Sequence, residues 1–187
     1  MALFGKKKGL VGLDIGSSAI KAVELKAGGK GGAEYQLLNL GMEALPPEAI
    51  VDGAIMDSGA VIDAIQRLFA THKIKTAEVA TSVSGNAVIV KKISLPRMTQ
   101  EELAESIHWE AEQYIPFDIQ DVALDYEVVE GGGTGDNMDV LLVASKKDKI
   151  SDYTSVISQA GKSPQLVDVD VFALQNCYEV NYGVDPG

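Results

Sequence analysis

Leu10-Val11-Gly12-Leu13-Asp14-Ile15-Gly16-Ser17-Ser18-Ala19-Ile20-Lys21-Ala22-Val23-Glu24-Leu25-Lys26 is the stretch on which the architecture turns. Leu10 to Leu13 is a short apolar run, the signature of a buried strand, and Ala19 to Lys26 alternates apolar and polar residues as a strand does. Between them lie a glycine and two serines, so the segment predicts a hairpin. The turn also carries chemistry. Gly16 permits unusual backbone angles and close approach to an oxyanion, and the turn amides with the Ser17 and Ser18 hydroxyls can donate to one. Lys21 adds a positive charge, and Asp14 is suited to a hydrated divalent cation. Asp14, Gly16, Ser17, Ser18 and Lys21 are therefore candidate ligands of a nucleotide phosphate, although an ordinary Gly-Ser turn accounts for the same residues.

With 187 residues, 46% of them hydrophobic, the chain can bury a substantial core as one large or two small domains. Its net charge of -11 argues against a general nucleic-acid binder. The single cysteine, Cys177, leaves no internal disulfide, and two histidines, His72 and His108, make no Cys/His metal cluster; a reducing cytoplasm fits this usage. Lys6-Lys7-Lys8 precedes an apolar run that Asp14 ends too early for a signal peptide, and reads as a solvated basic tail rather than an anchor. No stretch is long enough to span a bilayer.

Further along, Gly28 to Gly32 predicts a hairpin tip and Glu34 to Leu40 a third strand. From Ser58, Val61, Ile62, Ile65, Leu68 and Phe69 share one helical face, and Ala77 to Val83 returns as a strand. A second module begins near Gly85. It comprises a strand over Ala87 to Leu95, a helix with a Thr99/Glu102 capping box closed by Pro116, strands over Val122 to Glu130 and Met138 to Ser145, and a helix from Lys147 to Gln159. A strand over Pro164 to Asp170 and a helix from Val171 to Tyr182 complete the chain. The expected division is 1–84, an inserted module 85–161, and a returning 162–187.

Several signals have plain explanations. Gly161-Lys162-Ser163 imitates a Walker A end, but the first glycine would fall at Val156, so a helix C-terminal turn with Gly161 in the C′ position is expected. The acids Glu101, Glu102, Glu105, Glu110 and Glu112 read as a solvated helix face, His108 has no serine or cysteine of evident nucleophilic character nearby, and His72 sits in a helix-ending Thr-His-Lys segment. Trp109 projects opposite the Leu103/Ile107/Tyr114 stripe, which suits either a protein partner or packing under the Pro116-Phe117 turn or against a neighbouring lobe. Asp168 and Asp170 alternate along a strand and are expected on one face, as a polar strand end at a cleft rather than a second cation site, while Cys177 is expected as a small core residue.

The strand-turn-strand D-x-G-S-x-x-x-K pattern resembles the first phosphate loop of the actin, Hsp70 and sugar-kinase superfamily. Four strings narrow this: Leu3-Phe4-Gly5-Lys6-Lys7-Lys8, Gly12-Leu13-Asp14-Ile15-Gly16-Ser17-Ser18, Trp109-Glu110-Ala111-Glu112-Gln113-Tyr114-Ile115-Pro116-Phe117-Asp118 and Val167-Asp168-Val169-Asp170-Val171-Phe172-Ala173-Leu174. Together they resemble the PilM family of actin-like proteins of type IV pilus assembly and twitching motility. The resemblance implies an α/β, ribonuclease H-like subdomain 1A carrying an inserted FtsA-type subdomain 1C. It implies ATP and magnesium in a cleft, with Asp14 near the magnesium shell, Gly16, Ser17 and Ser18 around the phosphates, and Lys21 on the β or γ phosphate. Implied partners are the cytoplasmic N-terminal peptide of PilN and other pilus inner-membrane and motor proteins, which places the protein in the cytoplasm at the inner-membrane face. Alternatives within the superfamily are an actin-like ATPase and an FtsA-like filament protein of cell division. The chain ends at Asp185-Pro186-Gly187, before any second phosphate loop, so it is expected to be an N-terminal lobe without hydrolytic activity of its own.

Overall fold

A computed structural model describes residues 9–28, 34–129 and 131–183. The lysine run and the Gly28 to Gly32 tip beyond Gly28 lie outside these residues. The chain divides into two compact units, the first formed by residues up to Ser84 and from Asp152 onward, the second by Gly85–Ser151.

In the first unit, β1 (Val11–Ile15), β2 (Ala19–Gly28) and β3 (Glu34–Ala44) form an antiparallel meander. A two-residue ribbon, β4 (Ile50–Val51) and β5 (Ala54–Ile55), leads to α1 (Ser58–Thr71), which is capped by Asp57 through its Oδ1 and the Ala60 amide at 2.9 Å. The chain returns as β6 (Glu78–Val83), parallel to β1. The full sheet has the order β10-β6-β1-β2-β3, with β10 (Ser163–Val169) parallel to β6. This mixed sheet, a meander extended by parallel strands, is the ribonuclease H-like arrangement that the family resemblance implied.

Alternation decides which residues are buried. Val11, Leu13 and Ile15 of β1 and Ile20 and Ala22 of β2 point to one face and pack with Val61, Ala64, Ile65 and Leu68 of α1. The opposite face carries Asp14 and Lys21. Beside them, the cross-strand pairs Leu25/Leu37 and Val23/Leu40 and the partner of Lys21, Met42, form an apolar band in which Leu25, Leu37, Leu40 and Met42 are exposed. His72 ends α1 and lies against Gly41, where a Cβ would come within 2.5 Å of the imidazole; its role is packing.

The second unit is a three-stranded antiparallel sheet, β7-β9-β8, covered on one face by a helix. The strands are β7 (Val88–Pro96), β8 (Val122–Val128) and β9 (Asn137–Lys146), and the helix is α2 (Gln100–Glu112). The Thr99/Glu102 capping box forms as expected, each side chain accepting the other residue's backbone N–H. Leu103, Ile107 and Ala111 pack on Ile93, Leu95, Val140, Leu142 and Ala144. Strand β7 runs through Pro96 rather than stopping before it, which an edge position tolerates.

Helix α3 (Lys147–Gln159) corrects the expected boundary at 161. Tyr153, Val156 and Ile157 belong to the core of the first unit, so the second unit ends within the helix, at Ser151. Helical periodicity showed an amphipathic segment but not which core its apolar face would enter. After it, Gly161 (φ 79°) occupies the expected C′ position, and the Lys162 amide donates to the Ile157 carbonyl at 3.1 Å.

Ser145 is 7% exposed, and its Oγ is the one buried side-chain polar atom without a hydrogen-bond partner among the described residues. A buried hydroxyl without a partner costs stability, so Ser145→Ala is expected to raise the unfolding free energy by about 1 kcal/mol in chemical denaturation.

Candidate functional site

The β1–β2 register places Asp14 directly opposite Lys21, and their side chains form an ion pair at 2.8 Å. Both are more than half exposed, so the pair contributes little to stability and remains available to a ligand. The Gly16 amide donates to the Ala19 carbonyl at 3.1 Å, closing the turn, while Ser17 and Ser18 stand exposed at its tip. Leu45 anchors the tip by donating its amide to the Ser18 carbonyl at 2.9 Å.

Gly16 serves the turn differently from the expectation. Its φ is not in the left-handed region, so unusual angles are not what selects glycine. A Cβ there would sit 3.1 Å from the Ala19 carbonyl oxygen and 3.9 Å from both Asp14 Oδ2 and Lys21 Nζ, filling the space between turn and ion pair. Absence of a side chain, rather than backbone freedom, keeps that concavity open.

The ion pair borders a cleft of about 380 Å³ on the open sheet face, lined by Gly12, Asp14, Lys21, Val23, Ser82 and Asp168 and, from α4 (Asp170–Tyr182), by Ala173 and Asn176. Asp168 opposes Ser82 in the β10–β6 ladder, which brings this late carboxylate into the same cleft as the hairpin. Asp170 does not join it. It starts α4, and its Oδ1 accepts from the Val171 amide at 2.7 Å, so the strand alternation expected for the two acids stops at Val169. No group of three or more His, Cys, Asp or Glu able to hold a metal occurs among the described residues. A divalent cation at Asp14 would take its remaining ligands from water and phosphate, as magnesium does in phosphate sites.

Tyr153, a core residue on which the charge of Asp14 acts, escaped the sequence reading. Its hydroxyl donates to the Gly53 carbonyl at 3.1 Å. Gly53 (φ 74°) follows Asp52 (φ 48°) in the tight turn of the β4–β5 ribbon. The Asp-Gly pair between Ile50-Val51 and Ala54-Ile55 was the available signal, because type I′ turns need positive φ at both positions. Burial raises the Tyr153 pKa above its ordinary value, and the negative charges of Asp14 and Asp152 add to the effect. A phenol whose folded pKa is raised stabilises the fold below its unfolded pKa of 10.0 and loses that contribution as pH climbs through the folded value. Tyr153→Phe is expected to flatten the fall in stability above that pH, measured by denaturant unfolding across the alkaline range.

Two other candidates fall elsewhere. Trp109 is 73% exposed on the outer face of α2, so it does not pack under the Pro116-Phe117 turn. Cys177, expected in the core, is exposed on α4, a helix with no buried residue. Apolar and polar residues are scattered around this helix, so periodicity could not identify an inward face.

Among the described residues no helix is long and apolar enough to cross a membrane. Residues 12–184 match the family model described as type IV pilus assembly protein PilM. A solved "PilM-PilN type IV pilus biogenesis complex" contains a chain 30% identical to this one, with a TM-score of 0.78 over 92% of this chain and 50% of that one. The cytoplasmic domain of EpsL, an inner-membrane component of the type II secretion system of Vibrio cholerae, shares the fold at 14% identity, with a TM-score of 0.57 over 88% of this chain and 58% of that one. The chain thus spans about half the length of the PilM structure it matches. Sequence match and mixed-sheet topology agree that the chain belongs to the PilM family of type IV pilus assembly proteins.

Proposed function

We propose that this chain is the part of a pilus assembly protein that holds one side of a magnesium nucleotide, ATP, and engages the cytoplasmic N-terminal peptide of PilN. The Asp14–Lys21 pair at the open turn of the first hairpin carries the nucleotide reading. The residues fit the group: Gly16 leaves a concavity beside one positive and one negative side chain. Asp14 would hold the hydrated magnesium, Ser17 and Ser18 would donate to phosphate oxygens, and Lys21 would neutralise the β or γ phosphate. Bound magnesium would neutralise phosphate charge. Phosphoryl transfer needs charge stabilisation and positioning on both sides of the γ phosphate, so these residues alone support binding rather than turnover. Occupancy of the turn is the regulated input and partner binding is the principal work.

The PilN reading draws on membership of the family and on the partner named in the related complex. Through such a partner the protein would work at the cytoplasmic face of the inner membrane and meet other pilus and motor proteins. Titrating the PilN N-terminal peptide into the intact protein is expected to give saturable binding by calorimetry; a flat titration overturns this part. The exposure of Trp109 on α2 supports its assignment to a protein contact. Trp109→Ala is expected to weaken one pilus partner by at least about tenfold, the scale of a modest hot spot. Unchanged affinity for every pilus partner, with the fold intact, would remove Trp109 from the interface.

A further inference from the structure

Strand β8 is an edge of the second unit's sheet, since among the described residues its only ladder is with β9. The Val129 amide donates to the Asp139 carbonyl at 2.9 Å, which sets the alternation of the adjoining ladder. By that alternation Asp125 and Glu127 direct their backbone groups toward β9, and Leu124, Tyr126 and Val128 direct theirs outward. The outward Tyr126 amide has no strand to donate to. It donates to the carboxylate of Asp125 instead, at 2.9 Å.

A groove of about 350 Å³ runs along this edge, lined by Asp125, Tyr126, Glu127 and Val128 with Gln100 and Leu103 of α2. Its two sides differ in chemistry. Tyr126 and Val128 are partly buried against the apolar core beneath α2, whereas Asp125 and Glu127 point to the other face and are exposed. Neither acid belongs to an ion pair among the described residues. The other edge, β7, carries Lys91, Lys92 and Pro96, which discourage strand addition; β8 has neither lysine nor proline.

We propose that β8 accepts an extended segment of a partner protein as a fourth strand, and that the segment alternates apolar with basic residues. Its apolar side chains lie on the Leu103/Tyr126/Val128 side, and its lysines or arginines face Asp125 and Glu127. A carbonyl of the incoming strand takes over the Tyr126 amide and frees the Asp125 carboxylate for a basic side chain. A second copy of β8 does not fit, because antiparallel self-pairing would set Asp125 and Glu127 against their own copies. No residue of the phosphate turn lines this groove.

The probe is a terminally blocked peptide, Lys-Val-Lys-Val-Lys-Thr, with Glu-Val-Glu-Val-Glu-Thr as its charge-reversed counterpart, each titrated into the intact protein. The lysine peptide is expected to bind saturably and to weaken as salt rises, and the glutamate peptide to bind at least about tenfold less well. In the double variant Asp125→Lys/Glu127→Lys the preference should reverse, while Glu105→Lys on the outer face of α2 leaves it unchanged. Hydrogen exchange should show protection of the Leu124, Tyr126 and Val128 amides on binding. Absence of binding, failure of the preference to reverse, or binding without protection of these amides overturns the proposal.

Discussion

Asp14→Ala in the full-length protein is expected to weaken magnesium-ATP binding by about 10- to 100-fold, the range for removing one charged partner from a polar contact. Lys21→Ala should cost a similar factor. Neither variant should shift the unfolding free energy by more than about 0.5 kcal/mol, because a surface ion pair between half-exposed side chains contributes little. The two losses should not add. Asp14 and Lys21 touch at 2.8 Å, so each removal also leaves the other charge unpaired, and a double-mutant cycle should return a clear coupling term. Gly16→Ala provides a third probe, since its methyl group would enter the concavity beside both side chains. Fluorescent-nucleotide titration with and without magnesium measures all three. Wild-type affinity in both charge variants would end the phosphate-turn reading while leaving membership of the family untouched.

Ile157→Ala is expected to destabilise the first unit by about 2–4 kcal/mol, the cost of emptying a fully buried aliphatic site. Ile157 has no exposed surface and packs with Val61, Ile65 and Leu68, although it lies in the helix that follows the second unit's sheet. Ile107→Ala, in the core between α2 and the second sheet, should cost a comparable amount in the second unit instead. Hydrogen exchange separates the two. Amides of β1 and β6 should lose protection in the first variant and amides of β7 and β9 in the second. Loss of protection in β7 and β9 from Ile157→Ala would return α3 to the inserted module, with its boundary at 161.

The elements that sequence alone identified are those whose signal is local. Alternation along Ala19 to Lys26, the Thr99/Glu102 box ahead of α2 and the glycine after α3 each act within a few residues, and each forms as its chemistry dictates. The β4–β5 ribbon was equally local but passed unread, because its strands are only two residues long and their apolar content looked like loop. Cys177 shows the opposite difficulty: a helix whose apolar and polar residues are scattered round it offers no local cue to which side is covered.

Sequence by itself determined the opening hairpin, the presence of an acid and a lysine on either side of its turn, and the α/β class, since strand alternation and turn chemistry are properties of neighbours in the chain. Tertiary structure alone decided that Asp168, far along the chain, shares a cleft with Asp14 while Asp170 does not, that α3 lends its apolar face to the first core, and that β8 is left as a free edge. The physical reason is that burial and strand order are set by which surfaces meet across the whole chain. A period of 2 or 3.6 residues specifies a face, not the partner that covers it.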